Sequence, residues 1–131
     1  MESAGWPTPS TLLLCPMIDA KRMEVYTALY TPDLSTFREI RAEIIDENSF
    51  SEELAAHPIL FFGDGAAKCR PVLGLHPHAR FADDFMPSAS HMISLAVEKF
   101  KREEFEDVVY FEPYYLKDFI PGIPKVKGLS L

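Results

Sequence analysis

A short glycine turn, Gly63-Asp64-Gly65, follows the apolar run 59–62. This turn is the best candidate for a ligand-binding site in the sequence. Glycines let a backbone approach a phosphate closely, and the N-terminus of a following helix favours an anion. Asp64 opposes that chemistry because it places a negative charge where the phosphate would lie. A tight turn is the simpler interpretation, and Gly63, Asp64 and Gly65 stay the candidate cofactor-binding residues.

A second group, Cys69, His76 and His78, has the side-chain types that bind transition metals. Zinc sites usually combine pairs of ligands at close spacing, such as Cys-x-x-Cys or His-Glu-x-x-His, and neither pattern occurs here. The simpler interpretation is a polar loop beside a buried thiol. We therefore predict no metal site.

Ser88, Ser90 and His91 together suggest a serine hydrolase. The Gly-x-Ser-x-Gly pattern of a nucleophile elbow is absent. A serine that precedes an apolar-periodic segment is typical of a helix N-cap, which is the role we predict for Ser88. We expect His91, beside this cap, to be exposed or to hydrogen-bond locally.

Three carboxylates, Asp19, Glu24 and Glu112, lie beside apolar segments, and paired carboxylates can perform acid–base catalysis. Asp19 is interpreted more simply as a turn former, and Glu24 as part of the solvated face of an alternating strand. The sequence therefore predicts no catalytic residue.

These residues need a scaffold, and the hydrophobic periodicity predicts an α/β fold with a mixed sheet. In 22–30, Met23, Val25, Thr27 and Leu29 alternate with a second face that includes Arg22, Glu24, Tyr26 and Ala28. In 37–45, Ile40, Ala42 and Ile44 alternate with Glu39, Arg41 and Glu43. We predict strands at 12–19, 22–30, 37–45, 59–62 and 107–111, with a further short strand near 79–81.

Helices are predicted where the period changes. Ser49 and Glu52 have capping-box spacing, with Phe50 and Leu54 four residues apart, and His57-Pro58 ends that helix. The longest helix is predicted at 88–104, with an apolar stripe formed by Ala89, Met92, Ile93, Ala96, Val97 and Phe100.

Composition limits the classes of function. The 131 residues suit one domain, predicted at 12–119 between a flexible lead-in at 1–11 and an extended, proline-containing tail at 120–131. The net charge of -7 opposes direct binding of nucleic acid. Two cysteines are a poor disulfide framework, and the longest apolar runs are far too short to span a membrane. With no signal-peptide pattern at the start, we expect a cytoplasmic protein.

Four segments, in order, resemble one family, the bacterial TsaB (YeaZ-type) proteins, in their C-terminal half. Residues 16–26, Pro-Met-Ile-Asp-Ala-Lys-Arg-Met-Glu-Val-Tyr, resemble the Asp-Ala-Arg-x-x-Glu-Val-Tyr hairpin of that family. The glycine turn at 62–66, the helix opened by Ser88-Ala89, and the Pro-x-Tyr-Leu-Lys segment at 113–117 are similar to the segments that follow. Lysines stand at 21 and 117 where the family often has arginine, whose bidentate fork lysine lacks.

The resemblance implies a ribonuclease H-like (actin-like ATPase, ASKHA) half-domain, the second of two similar halves, so we expect the chain to be a fragment. It also implies an accessory subunit without catalytic activity. Its partners would be a TsaD-type catalytic subunit and a TsaE-type ATPase in the complex that makes threonylcarbamoyladenosine in tRNA. ATP and metal would belong to the partner complex, with none bound by this chain, and tRNA would be held only through the complex.

The motif residues that the resemblance places at interfaces are Asp19, Arg22, Glu24, Tyr26, Tyr114, Tyr115, Lys117 and Phe119. Two alternative functions stay open, a peptidase M22-like hydrolase and an ATPase-derived interaction module. Because a two-half fold buries a seam between its halves, we also expect self-association or an open apolar patch. Its members would be Trp6, Tyr114, Tyr115, Phe119 and Ile120.

Overall fold

The computed structural model describes residues 11–116, which form one mixed sheet with helices. The strands are β1 (Leu13–Asp19), β2 (Glu24–Tyr30), β3 (Thr36–Ile44), β4 (Ile59–Phe62) and β5 (Ala79–Phe81). The helices are α1 (Ser51–Ala56), α2 (Arg70–Leu73) and α3 (Ile93–Lys101), with 3-10 helices at Ala67–Cys69 and Ala89–Met92. The strand order is β3-β2-β1-β4-β5, and the predicted mixed α/β sheet is confirmed.

The sheet changes direction at β1. Strands β1, β2 and β3 form an antiparallel meander, whereas β4 runs parallel to β1 and β5 runs parallel to β4. The parallel pairs need crossover connections, which α1 supplies before β4 and α2 supplies before β5. Leu54 of α1 and Leu73 of α2 share one core with Leu13, Cys15 and Phe61, so both helices cover the same face of the sheet.

The alternation predicted for β2 is confirmed, with one exception. Val25, Thr27 and Leu29 are buried, as one face of the strand requires. Ala28, assigned to the opposite face with Arg22 and Glu24, is also buried at 1% exposure. Strand β2 lies between β1 and β3 in the sheet.

In strand β3 the apolar side chains face outwards and the charged ones face inwards, which is the reverse of the usual arrangement in a sheet with one solvated face. Ile40 and Ile44 are 48% and 71% exposed, whereas the side chain of Glu43 is only 14% exposed. Glu43 pairs with Val25, whose side chain lies in the core, so the charged side of this edge strand faces the helices. Arg38 balances it, with ion pairs to Glu43 at 3.2 Å and to Glu53 at 3.3 Å.

The predicted capping box of α1 is wrong. The helix begins after Phe50, which has a φ of 60° and gives no side-chain cap. The Ser49 hydroxyl instead accepts a hydrogen bond from the Asp46 amide at 2.9 Å, so a local turn uses the group that the cap required. The predicted stop is confirmed, because the helix ends at His57-Pro58.

The C-terminal prediction is correct in part. Ser88 caps the segment by accepting from the Ser90 amide, but the helix predicted at 88–104 is a 3-10 turn followed by α3, which ends at Lys101. The strand predicted at 107–111 is a turn. Asp107 accepts from the amides of Val109, Tyr110 and Phe111, which bends the chain before the apolar run can extend.

Both cysteines are free and buried, as predicted. None of the helices in the described range 11–116 is long and apolar enough to span a bilayer. The predicted tail 120–131 and all of the predicted lead-in except Thr11 lie outside the described residues.

Candidate functional site

The carboxyl ends of β1 and β4 lie side by side, and this edge holds the residues that the sequence singled out. Pro16 pairs with Phe62 in the parallel register, so Asp19 at the end of β1 lies near the glycine turn that follows β4. Ligands of α/β proteins commonly bind beyond the carboxyl ends of parallel strands. The fold therefore brings together Asp19 and the turn Gly63-Asp64-Gly65, which are 44 to 46 positions apart in the sequence.

Close approach of the two backbones explains both glycines. Gly63 has a φ of +104°, and a Cβ added there would lie 2.3 Å from the carbonyl oxygen of Met17. A Cβ on Gly65 would lie 3.0 Å from the Asp19 amide and 3.0 Å from the side chain of Val25. The turn consequently packs against the end of β1, with no room for a side chain at position 63 and very little at position 65.

Hydrogen bonds fasten this contact. The Gly65 amide donates to the Met17 carbonyl at 3.0 Å, and the Asp19 amide donates to the Asp64 carboxylate at 2.8 Å. Lys68, in the 3-10 helix after the turn, donates to the Asp19 carboxylate and to the Glu24 carbonyl. We call Asp19, Gly63, Asp64, Gly65 and Lys68 the β1–β4 latch.

Within the latch, Lys68 forms an ion pair with Asp19, one of its two carboxylates. The Lys68 ammonium, followed by the Lys21 amide at 2.9 Å, lowers the pKa of Asp19 below its ordinary value. The side chain of Lys68 is 23% exposed, and sequence reasoning did not identify this residue. The feature of the sequence that could have identified Lys68 is its position, three residues after Gly65 in the short helix that follows the turn.

The backbone amides that a phosphate would need already donate hydrogen bonds within the latch. The amides of Gly65 and Ala66 donate to the carbonyls of Met17 and Gly63, and the Asp64 carboxylate faces the Asp19 amide. Phosphate-binding turns instead direct free amides towards the ligand. The geometry therefore favours the tight-turn interpretation of Gly63-Asp64-Gly65 over a phosphate cradle.

The β1–β2 hairpin carries two exposed cations next to the latch. Lys21 and Arg22 have φ values of 77° and 52° and lie in the three-residue loop 21–23, where the Glu24 amide donates to the Lys21 carbonyl at 3.0 Å. A groove of about 540 Å³ lies beside this turn and is lined by residues 20–24 and Ile44. Glu24 is half-buried in that lining, and Tyr26 lies farther along β2, paired with Ile18 and Ala42.

The residues considered as metal ligands have other contacts. The Cys69 thiol is directed at the Gly65 carbonyl at 3.4 Å, and burial raises its pKa. His78 Nδ1 lies 2.6 Å from the Leu54 carbonyl, and His76 Nδ1 accepts from the His78 amide. Among residues 11–116, no group of three or more His, Cys, Asp or Glu side chains could hold a metal ion.

The residues considered for hydrolysis and for the tail motif lie on the surface. The hydroxyls of Ser88 and Ser90 are 2.9 Å apart, and the exposed ring of His91 stacks on Phe85 at 5.0 Å. Glu112 is exposed, and Tyr114 and Tyr115 are 84% and 76% exposed. Lys117 and Phe119 lie outside the described residues.

Comparison with known proteins adds information on the fold. No family model matches the chain, and no curated protein matches it. A solved structure does, described as an uncharacterized protein with similarity to peptidase YEAZ from Pseudomonas aeruginosa, with a TM-score of 0.56 and 20% sequence identity. The chain has a ribonuclease H-like half-domain fold. The match covers 82% of this chain and 50% of the other, so the chain spans about half the length of that protein.

Proposed function

We propose that this chain is a scaffold subunit of the complex that makes the threonylcarbamoyladenosine modification of tRNA, where it pairs with a TsaD-type catalytic subunit. The observation that carries the proposal is the closed latch on a YeaZ-like half-domain fold. The edge of the sheet where a ligand would bind is occupied by the protein's own Asp64 and Lys68. A fold kept intact around a filled site suits a partner-binding role better than catalysis.

The net charge of the chain also supports a role in which the partner subunits, and not this chain, bind tRNA. The net charge of -7 repels the phosphates of tRNA, so the partner subunit holds the nucleic acid in this proposal. ATP and metal then belong to the TsaD-type and TsaE-type subunits. The TsaB-like hairpin residues Lys21 and Arg22 are exposed and project a local positive charge, which is available for contact with an acidic surface.

Reconstitution tests this function. The 131-residue chain is mixed with TsaD-type and TsaE-type subunits of the same source, and complex formation is followed by size-exclusion chromatography while threonylcarbamoyl transfer is measured on tRNA. We expect a stable complex and transfer that depends on the chain. A chain that neither binds the TsaD-type subunit nor supports transfer overturns the proposal.

Direct assays separate the two alternatives. A peptidase M22-like hydrolase cleaves peptide bonds, and an ATPase-derived module that has kept its nucleotide site binds ATP. Neither has a specific observation in its favour within residues 11–116. We expect no peptidase activity and no saturable binding of a fluorescent ATP analogue by the isolated chain, and either activity at one site per chain would replace the scaffold proposal.

A further inference from the structure

The loop of the β1–β2 hairpin places two cationic residues in a backbone conformation that favours other residue types. Lys21 and Arg22 have φ values of 77° and 52°, in the left-handed region that few residues other than glycine adopt. Glycine or asparagine would fit both positions with less strain, so the geometry of the loop does not account for a lysine followed by an arginine. Strain of this kind is concentrated at functional sites. The loop therefore carries these two cations for a reason other than its own folding.

The positive charge of this loop is available to a partner. Lys21 and Arg22 are both exposed, and within residues 11–116 neither side chain forms an ion pair or a hydrogen bond. Asp19, the carboxylate that precedes them at the end of β1, is paired with Lys68. A ligand that pairs with the two cations would therefore displace no ion pair among the described residues.

The groove of about 540 Å³ beside this loop has an apolar lining. Ala20, Met23 and Ile44 supply it, where β1 ends, β2 begins and β3 ends. The Ala20 amide donates to the Glu24 carbonyl at 3.0 Å, and this bond ties β1 to β2. The Ile45 amide donates to the Met23 carbonyl at 2.8 Å, which ties β3 to the loop. The groove is therefore formed before any ligand binds, as most binding clefts are.

The charged groups of the groove favour an anionic ligand. Two cations, Lys21 and Arg22, and one carboxylate, Glu24, give the lining a net charge of +1, whereas the whole chain carries -7. Complementary charge steers a partner to such a site and disfavours a partner of like charge. The groove therefore suits an acidic ligand that also has an apolar group to place on Met23 and Ile44.

The exposure of the lining indicates a peptide segment rather than a small molecule. Ile44 is 71% exposed, so the groove is open on that side. A bound small molecule usually has about 70–90% of its surface buried, which needs a deeper cleft. An extended peptide can place one apolar side chain in the groove and continue across the surface in both directions.

We propose that this groove, which we call the hairpin groove, binds an extended acidic segment of a partner protein. One apolar side chain of the segment lies on Met23 and Ile44, and carboxylates on either side of it pair with Lys21 and Arg22. This binding supplies the acidic contact that the two cations offer in the proposed function, on which it rests, but it can be measured with the isolated chain.

A labelled peptide tests the hairpin groove. The probe is a fluorescein-labelled hexapeptide of alternating glutamate and leucine, titrated with the 131-residue chain and followed by fluorescence anisotropy. We expect saturable binding of one peptide per chain, which weakens as the salt is raised from about 50 to about 300 mM because exposed charge pairs are screened. The same peptide with lysine in place of glutamate should not bind. Equal binding of both peptides, or no saturable binding of the acidic one, overturns the proposal.

A double variant, Lys21→Asn with Arg22→Asn, removes the two cations in a way that the loop accepts. Asparagine tolerates a left-handed φ, so urea denaturation should show a stability close to or above that of the wild type. The loss of two exposed charge contacts should weaken peptide binding about three- to tenfold. Lys99→Gln with Lys101→Gln is the matched control, because it removes the same charge from the exposed end of α3 and should leave binding unchanged. Wild-type affinity in the hairpin variant contradicts the proposal.

The apolar contact has a test of its own. Ile44→Ser should weaken peptide binding about threefold or more, because it removes apolar surface from the lining, with circular dichroism confirming that the variant folds. Leu75→Ser is the control, because Leu75 is 80% exposed and lies outside the groove. Binding that Ile44→Ser leaves intact shows that the peptide lies elsewhere and contradicts the proposal.

The peptide assay and the reconstitution fail separately. If the acidic peptide does not bind while the chain still assembles with the TsaD-type and TsaE-type subunits, the hairpin groove is contradicted and the scaffold function stands. If the peptide binds as expected while reconstitution fails, the scaffold function is contradicted and the groove is a peptide-binding site of a different assembly.

Discussion

At the scale of single residues, the latch depends most on Gly63. Its φ of +104° is strained for any other residue, and a Cβ would lie 2.3 Å from the Met17 carbonyl oxygen. We expect Gly63→Ala to lower the free energy of unfolding by roughly 2 kcal/mol or more, measured by urea denaturation. Ala67→Ser, at an exposed position of the same segment, is the control and should change stability by less than about 0.5 kcal/mol.

Asp19 makes part of this stability depend on pH. Its pKa is lowered in the fold by Lys68 and the Lys21 amide, so its stabilising effect is present above the ordinary value of 3.8 and is lost as the pH falls through the lower folded value. We expect Asp19→Asn to be less stable than the wild type at pH 6 and the difference to shrink below about pH 4. Urea melts across this range measure it.

Lys68 supplies the control for that titration. If its ammonium causes the low pKa of Asp19, Lys68→Met reproduces most of the loss at pH 6, and adding Asp19→Asn to it costs little more. Additive losses in the double variant would show that the two side chains act separately.

The two thiols report on the core. Burial raises the pKa of Cys15 to about 12 and also raises that of Cys69, so neither thiol ionises near neutral pH. We expect Ellman's reagent to label fewer than about one tenth of the thiols in the folded chain within minutes at pH 8 and to label both in urea, since thiolate is the reactive species. Rapid labelling without denaturant would show that the core opens readily.

At the scale of elements, the sequence predicted the strands of the sheet better than it predicted the ends of the helices. Strands β1 to β4 lie within two residues of their predicted bounds, because alternation and apolar runs follow directly from burial. The capping box failed at Ser49, and the last strand failed at Asp107, because side chains with several local partners decide those turns. The apolar residues at 108–111 indicated a segment that favours burial, but they did not determine whether that segment forms a strand or a turn.

Strand β3 offers a matched pair of arginines for a stability test. Arg38, 18% exposed at its side chain, pairs with Glu43 and Glu53 and lies over the ring of Phe50, whereas Arg41, 52% exposed, pairs with the same Glu43. We expect Arg38→Met to lower the free energy of unfolding by roughly 1–3 kcal/mol, because it removes the ion pair of the shielded Glu53 and leaves Glu43 paired only with the more exposed Arg41. Arg41→Met should cost about 0–1 kcal/mol. Equal losses would show that burial does not set the difference.

At the scale of the whole molecule, the fold could be predicted from the sequence, but the side-chain contacts within the candidate site could not. The order of elements predicted the mixed sheet, and the glycine turn and Asp19 were singled out from their residue types. That Lys68 would reach Asp19, 49 positions away, depends on how β1 and β4 pair, and no spacing in the sequence shows that pairing.

Whole-molecule charge gives the last prediction, which concerns tRNA. With 13 basic and 20 acidic residues, the chain has little scope to release counterions from a nucleic acid, and that release supplies most nonspecific affinity. We expect the isolated chain to show no binding to bulk tRNA up to about 10 µM at about 150 mM salt, since nonspecific dissociation constants at that salt are commonly about 10⁻⁴–10⁻⁶ M. Fluorescence anisotropy of labelled tRNA measures it, and the same assay with the TsaD-type subunit added should show binding. A salt-sensitive, submicromolar complex formed by the chain alone would mean that the cations of the β1–β2 hairpin outweigh the net charge, and that the chain holds tRNA itself.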